Sequence, residues 1–312
     1  MLFYITKRVS GDWAVKPEQQ CMIFHKMNEL FQRIFISVVA ILILVVTIGF
    51  AGHPGFEPIF TLLTALVIIL SLREYCHIAL KQGLVPLERS AIFLSVLYVF
   101  FTYLGIRHPH FSLLPFVAVW ISLLVFFAYY FNRGKRPLIN LAVTFFGIFY
   151  ITLPLSLIIN ITYFFPRGSG EDGRYWLIYL LLIAKVTDMG AYFVGRYCGT
   201  RKIAPYISPK KTIEGAIGGL LLSIGAGIFY IYLLHSFFIH PPFSLGYYES
   251  ILISSAISCL SQFSDLAESL LKRDGGIKNS STIPGLGGFL DIVDSLLFTC
   301  PFVYFLLKFF YT

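Results

Sequence analysis

Long apolar runs separated by short polar loops dominate the chain, and this pattern predicts a bundle of membrane-spanning helices. The runs lack the two-residue alternation that a membrane β-barrel would show, so α-helices are expected. The second and third runs are short for a bilayer of about 30 Å, and Pro154 interrupts the fifth. Nine spans are predicted, with eight or ten left open, at about 33–51, 58–73, 90–105, 111–131, 137–165, 175–195, 215–239, 248–268 and 290–311.

The composition agrees with an all-α, polytopic integral membrane protein. Of 312 residues, 57% are hydrophobic and 13% are charged, and the mean hydropathy is +0.78. A soluble domain of this length could not bury so much apolar side chain. Intramembrane charge is concentrated in the second half, which predicts a cytoplasmic arm at 1–32, a transmembrane scaffold at 33–170 and a transmembrane catalytic region at 171–312.

The net charge of +8 is distributed unevenly, because Lys and Arg are concentrated in every second loop. By the positive-inside rule, the N-terminus and the polar motifs of the second half are expected in the cytoplasm, and the C-terminus on the other side. We therefore predict a multi-pass protein of the cell membrane. The basic balance reflects topology and anionic lipid, and nucleic acid is not an expected partner.

Three charged positions lie inside predicted spans or at their ends: Lys185, Asp188 and Glu74. Lys185 and Asp188 are three residues apart and share one helical face, so they can form a structural ion pair. Asp188 is about two turns from the cytoplasmic end and is also a candidate for a polar cavity. Glu74 is the main charge of the first half, and interfacial pairing with Arg73 or Lys81 is expected for it.

The segment 207–219 reads ISPKKTIEGAIGG and enters the seventh span. Its Ser-Pro pair predicts a turn. The helix start that follows, with two Lys and two hydroxyls, suits a phosphate. The alternative is a pair of interfacial lysines that extend toward the headgroups. Gly215 and Gly219 form a GxxxG motif, which favours close helix packing.

Four carboxylates and a lysine mark the last two spans. Glu268 and Lys272 are four residues apart and are expected to pair, which leaves Asp265 deeper and without a partner in sequence. An unpaired buried carboxylate should protonate or bind a cation. Asp291 and Asp294 are three residues apart in the first turns of the last span and repel each other unless a cation bridges them.

Mg²⁺ is the expected cation, because it prefers carboxylate, phosphate and water oxygens. The alternative for Asp291 is helix capping, which does not account for Asp294. Carboxylates for a metal, cations for phosphates and apolar walls together predict a cytoplasm-facing pocket. Phosphoryl or nucleotidyl transfer onto a lipid fits such a pocket.

At these residues the chain resembles the CDP-diacylglycerol synthase (phosphatidate cytidylyltransferase) family over roughly residues 175–297. Four blocks carry the resemblance in the expected order: DMGAYFVGRYCG, ISPKKTIEGAIGG, SQFSDLAESLLKR and PGLGGFLDIVDS. Three positions depart from the family pattern: Asn279 stands in place of Asp, Leu286 in place of His, and Ile292 in place of Arg. The metal carboxylates are retained, so the resemblance implies that the chemistry survives.

The resemblance implies the reaction of CTP with phosphatidate to give CDP-diacylglycerol and pyrophosphate. It also implies Mg²⁺ as the cofactor, K⁺ as a further candidate, and a homodimer. The implied metal ligands are Asp265, Asp291 and Asp294. The predicted catalytic residues are Asp265, Asp294, Asp188 and Lys272. The predicted substrate-binding residues are Ser208, Lys210, Lys211, Thr212, Glu214, Gln262, Arg273, Lys278, Gly287 and Gly288.

Two other functions are left open. A CTP-dependent polyprenol or phytol kinase would transfer the γ-phosphate and release CDP. An anion transporter would be expected to show internal repeats with paired broken helices. The sequence shows no such repeat, and its polarity is confined to one half.

Overall fold

The computed structural model of the protein describes residues 43–131, 136–276 and 288–311. Within these ranges, eight helices are long and apolar enough to cross a membrane. The chain is also helical over 43–50, at the end of the first predicted span. The prediction of an all-α integral membrane bundle is therefore confirmed. The predicted arm at 1–32 lies outside the described residues, and the division into scaffold and catalytic regions stays a prediction.

The helices follow the predicted spans closely in position and order. They are α1 (43–50), α2 (Glu57–Lys81), α3 (Glu88–Arg107), α4 (Leu114–Phe131), α5 (Pro137–Gly147), α6 (Leu153–Thr162), α7 (Gly173–Cys198), α8 (Ile213–Phe237), α9 (Tyr247–Asp274) and α10 (Phe289–Tyr311). A short 3₁₀ turn, Pro109–Phe111, precedes α4 and extends the fourth span to 23 residues.

Three expectations about the spans were wrong. The second and third spans are not short, because α2 has 25 residues and α3 has 20. The fifth span is not broken at Pro154: α5 and α6 are joined by a π-helical turn, Ile148–Thr152, into one apolar stretch of 26 residues. Proline removes a backbone donor and crowds the preceding turn, and the wider π turn accommodates both effects.

The Ser-Pro pair is also not a turn. Ser208 and Pro209 lie in a strand, β2 (Ser208–Thr212), which pairs antiparallel with β1 (Lys202–Ala204). The turn of this hairpin is formed by residues 205–207. Both strands of a two-stranded sheet are edge strands, where the missing N–H of proline is tolerated.

Glycines bring α7 and α8 into close contact. A Cβ on Gly190 would lie 3.0 Å from the Cα of Gly219, and one on Gly215 would lie 3.0 Å from the Cα of Gly195. Any larger residue would separate the backbones, so the predicted packing role of Gly215 and Gly219 is confirmed. The close approach places the cytoplasm-predicted end of α7 directly beside the start of α8.

Successive loops are sorted between the two ends of the bundle. At one end, buried Glu57 forms ion pairs with Arg107 and Arg167, so the starts or ends of several helices meet there. The hairpin, the C-terminal part of α9 and the start of α10 therefore lie at the opposite end. This separation agrees with the alternation of loops predicted from the Lys and Arg distribution.

Candidate active site

A cavity of about 560 Å³ opens at the hairpin end of the bundle between α7, the hairpin, α8 and α9. Asp188 of α7 and Asp265 of α9 supply carboxylates to its wall, and Gln262 supplies an amide. The cations in the wall are Arg196, Lys202, Lys210 and Lys211. Acidic and basic residues that are far apart in sequence thus share one space.

Side-chain bonds fix the hairpin over this cavity. The carboxylate of Glu214 accepts hydrogen bonds from Thr200 N at 3.0 Å, from Thr200 Oγ1 at 2.5 Å and from Arg201 N at 3.2 Å. At the hairpin tip, Arg273 Nε donates to Ile207 O at 3.0 Å. The hairpin is therefore held at its base and at its tip, which positions the lysines of β2.

Several predicted substrate contacts have structural partners here. Thr212 caps α8 by accepting a hydrogen bond from Gly215 N at 3.2 Å, and it also lines the cavity. Gln262 Nε2 donates to Ala216 O at 3.3 Å, which links α9 to α8. Ser208 lies in β2 opposite Ala204, outside the residues that line the cavity. Substrate binding by these residues, by Glu214 and by Arg273 stays a prediction.

Three carboxylates converge where α9 meets α10. Each of Asp265, Glu268 and Asp294 offers an oxygen, and the three oxygens lie within 4.8 Å of one another. Glu268 is 2% exposed and Asp294 is 7% exposed. Like charges so close and so poorly hydrated repel strongly unless cations compensate them. Lys211 forms an ion pair with Asp265, and Lys272 lies 2.6 Å from Glu268, so two of the three are partly compensated.

This acidic group fits a divalent metal. Its donors are carboxylate oxygens, which Mg²⁺ prefers. An independent observation points the same way: Ser261, one turn before Asp265 on α9, is fully buried, and its hydroxyl has no hydrogen-bond partner among the described residues. Buried hydroxyls are normally paired, so this one indicates space for a bound oxygen or ion beside the carboxylates.

Asp291 is not one of these three carboxylates, and its predicted role as a metal ligand stays a prediction. Its carboxylate accepts a hydrogen bond from Gly288 N at 2.9 Å and forms an ion pair with Lys272. Gly288 immediately precedes α10, so Asp291 caps that helix, as the alternative reading proposed. The group of three therefore contains Glu268 where the prediction had Asp291. Lys272 is 5% exposed and bridges the acidic group to the cap.

The predicted pair of Lys185 and Asp188 is present, with the charged atoms 3.6 Å apart. Lys185 Nζ also donates to Ile292 O at 3.2 Å and to Ser295 Oγ at 3.5 Å, which ties α7 to α10. The pair is structural, and Asp188 also lines the cavity. Both readings of the pair therefore apply to this structure.

Glu74 is a residue whose contact the sequence reasoning missed. It is 7% exposed and accepts a hydrogen bond from Leu290 N at 3.1 Å, so α2 holds the first turn of α10. The expected pairing with Arg73 or Lys81 was wrong, since Arg73 pairs with Glu88 at 3.4 Å. An acidic residue next to a long apolar run indicates a buried polar contact. The sequence does not reveal the partner, because Leu290 is more than two hundred residues away in the chain.

Comparison with known proteins identifies the family of the chain. The profile of the cytidylyltransferase family matches residues 31–310. The chain belongs to the cytidylyltransferase family. It is 30% identical over 292 residues to the phosphatidate cytidylyltransferase of Chlamydia pneumoniae, covering 89% of this chain and 91% of that protein. It is 40% identical over 145 residues to the phosphatidate cytidylyltransferase of Bacillus subtilis, covering 46% and 51%.

One of the three departures from the family pattern lies in the described part of this cytidylyltransferase. Ile292, in the first turn of α10, packs against the hydrophobic core. An apolar side chain suits that position, because a charge there would be buried at a cost. The other departures, Asn279 and Leu286, lie outside the described residues, as do the predicted substrate contacts Lys278 and Gly287.

Proposed function

We propose that this protein transfers the cytidylyl group of CTP to phosphatidate, forming CDP-diacylglycerol and pyrophosphate. The cavity carries this proposal, because it joins the lysines of the hairpin to Asp188 and Asp265 at one end of a membrane bundle. Its relatives named phosphatidate cytidylyltransferase support the choice of lipid. Nucleotidyl transfer needs charge neutralisation and positioning more than covalent chemistry, and the cavity offers both.

The cationic wall would bind the triphosphate. Lys202, Lys210 and Arg196 are exposed and line the cavity from β1, β2 and α7 respectively. Lys211 lines the same cavity and already pairs with Asp265. A phosphate in the cavity would therefore contact the hairpin lysines and lie near Asp265 of the acidic group.

The acidic group would hold the metal. We propose Mg²⁺ on Asp265, Glu268 and Asp294, with K⁺ as a further candidate cation. When bound, the metal supplies a positive charge that polarises a phosphoryl oxygen and offsets the charge that develops on it. Asp291, which the sequence predicted as a ligand, would instead orient Lys272 toward this group.

The bond changes follow from the charges of the reactants. A phosphate oxygen of phosphatidate attacks the α-phosphorus of CTP, and the bond from that phosphorus to the bridging oxygen of pyrophosphate breaks. The attacking oxygen is already ionised at neutral pH, so the site needs no strong general base. The cationic side chains Lys210, Lys211 and Lys272 would hold the negatively charged reactants in line and stabilise the leaving pyrophosphate.

An apolar surface beside the acidic group would receive the lipid. Phe263 is 59% exposed and packs edge to face on Phe298, with ring centroids 5.4 Å apart. Phe298 lies one turn after Asp294 on the same face of α10. In a bilayer, acyl chains cover such a surface, so the lipid phosphate would lie close to the carboxylates. We place this end of the bundle in the cytoplasm, where CTP is available, and expect a homodimer.

Product analysis tests the proposal. Washed membranes containing the protein are incubated with CTP, Mg²⁺ and either phosphatidate or a polyprenol, and the lipids are identified by mass spectrometry. We expect CDP-diacylglycerol and pyrophosphate with phosphatidate, and no product after EDTA treatment. A phosphorylated prenol with release of CDP would show the kinase function instead. Transport of an anion without any lipid product would favour the transporter.

A further inference from the structure

The fifth span contains a second feature that points to the acidic group. Its π-helical turn, Ile148–Thr152, lies near the middle of the span and carries Tyr150. π turns are rare, and they recur at functional sites, because the extra residue redirects the side chains of one turn. Pro154 explains why the backbone is irregular here, but it does not explain why a tyrosine occupies the turn.

Aromatic contacts hold Tyr150 against α10, one helical turn from Asp294. Its ring stacks on Phe146 with centroids 5.4 Å apart and lies edge to face with Phe298 at 6.2 Å. Phe298 follows Asp294 by one helical turn, so Tyr150 contacts α10 beside the acidic group. Phe298 also packs on Phe263 of α9, so the ring of Tyr150 lies at the junction of α9 and α10 that carries the acidic group.

The Tyr150 hydroxyl has no hydrogen-bond partner among the described residues, although the residue is only 8% exposed. A buried Tyr hydroxyl normally finds a partner, since leaving it unpaired costs free energy. Ser261 of α9 likewise has a buried hydroxyl without a hydrogen-bond partner among the described residues. Two buried, unpaired hydroxyls from different spans thus lie near the junction of α9 and α10 that carries Asp265, Glu268 and Asp294, which favours a bound oxygen there.

We propose that Tyr150 is a further residue of this site and that its hydroxyl donates a hydrogen bond to an oxygen bound at the Asp265–Glu268–Asp294 group. The oxygen belongs to a water on the bound cation or to a phosphate of the substrate, and both accept the same bond. This proposal extends the proposed function. The assignment of the oxygen to a substrate phosphate rests on that function, whereas the assignment to a water on the cation does not. It also makes the first half of the chain a contributor to the chemistry and not only a scaffold.

Tyr150→Phe tests this assignment, because it removes one oxygen and keeps the ring contacts with Phe146 and Phe298. The measurements are Mn²⁺ affinity of the purified protein without substrates, followed by electron paramagnetic resonance, and kcat and KM for CTP and phosphatidate. The matched control is Tyr163→Phe. Tyr163 also has a buried, unpaired hydroxyl in the described structure, but it lines a separate cavity at the other end of the bundle.

If the oxygen is a cation-bound water, Mn²⁺ affinity should fall about tenfold in Tyr150→Phe, the size of effect typical of residues that support a metal ligand. If it is a substrate phosphate, Mn²⁺ affinity should stay unchanged, while kcat falls or KM rises by about tenfold. Tyr163→Phe should change none of these. Mn²⁺ affinity, kcat and KM of Tyr150→Phe all within about twofold of wild type would overturn the proposal.

A second measurement keeps the tyrosine and does not depend on the folding of a variant. With 3-fluorotyrosine at position 150, the fluorine resonance should shift when Mg²⁺ or phosphatidate is added, whereas a label at position 163 should not respond. No shift at position 150 with either addition would contradict the proposal. If the wild-type protein forms no CDP-diacylglycerol, the proposed function fails, and the Mn²⁺ and Mg²⁺ arms still decide the role of Tyr150.

Discussion

Lys272 contacts two carboxylates that have different surroundings. On one side it contacts Glu268, which belongs to the acidic group, and on the other it contacts Asp291, which caps α10. All three side chains have lost most of their water, so each ion pair depends on the others. We therefore propose different roles for these two acids: Glu268 as a metal ligand and Asp291 as the cap of α10.

Glu268→Gln and Asp291→Asn distinguish these roles. We expect Glu268→Gln to lower Mn²⁺ affinity by at least about tenfold, because it removes a charged oxygen from the group of three. Asp291→Asn should leave Mn²⁺ affinity within about threefold and lower the unfolding temperature, because the cap and its ion pair are weakened. A metal titration and a thermal melt check both variants. Weaker Mn²⁺ binding in Asp291→Asn, with only a lower unfolding temperature in Glu268→Gln, would instead support Asp291 as the ligand.

Contacts within one helix were predictable, and contacts between helices were not. The pairs Lys185–Asp188 and Glu268–Lys272 follow from the three- and four-residue spacing of a helical face. The pair Lys211–Asp265 joins a hairpin strand to α9, so it depends on how those elements pack. A helical pattern shows which residues share a face, but it does not show which faces meet.

At the scale of elements, Glu74 links the two halves of the chain by fixing the start of α10. Glu74→Ala would leave Leu290 N–H unpaired in a buried position, at a cost of about 1–3 kcal/mol. We expect a clearly lower unfolding temperature in detergent. It should be accompanied by weaker Mn²⁺ binding, because Asp294 lies in the helix that Glu74 holds.

Glu88→Ala is the matched control for that variant. Glu88 pairs with Arg73, but their side chains are 36% and 63% exposed, so its loss should cost no more than about 0.5 kcal/mol. Equal unfolding temperatures for Glu74→Ala and Glu88→Ala would show that the contact between Glu74 and α10 does not stabilise the bundle.

The spans were predictable because a bilayer allows few backbone structures, and a helix of twenty or more apolar residues is the commonest. The errors have physical causes. Residues 58–73 were ended at a charged pair, but Glu74 is buried by a distant helix, and α2 continues to Lys81. Pro154 was predicted to break the fifth span, but a π-helical turn accommodates it and the span continues. The strand at Ser208–Thr212 depends on pairing with β1, which local propensity does not report.

At the scale of the whole molecule, we predict that the hairpin end of the bundle faces the cytoplasm. Cys198 is exposed at the end of α7, near the cavity, and Ser244 is exposed at the other end. A variant with Cys198 as its single cysteine should react with a membrane-impermeant maleimide in inverted vesicles and not in intact cells. Ser244→Cys in a cysteine-free background should show the opposite. Labelling of Cys198 in intact cells would invert the proposed topology.

The most direct test of the account follows the α-phosphate of CTP. Purified protein is given CTP labelled at the α- or the γ-position with phosphatidate and Mg²⁺, and the label in the lipid is measured for wild type, Asp294→Asn and the exposed control Asp274→Asn. We predict that only the α-label enters the lipid, that Asp294→Asn lowers the rate at least about 100-fold while inserting normally, and that Asp274→Asn does not. Lipid carrying the γ-label, or full activity in Asp294→Asn, would contradict the account.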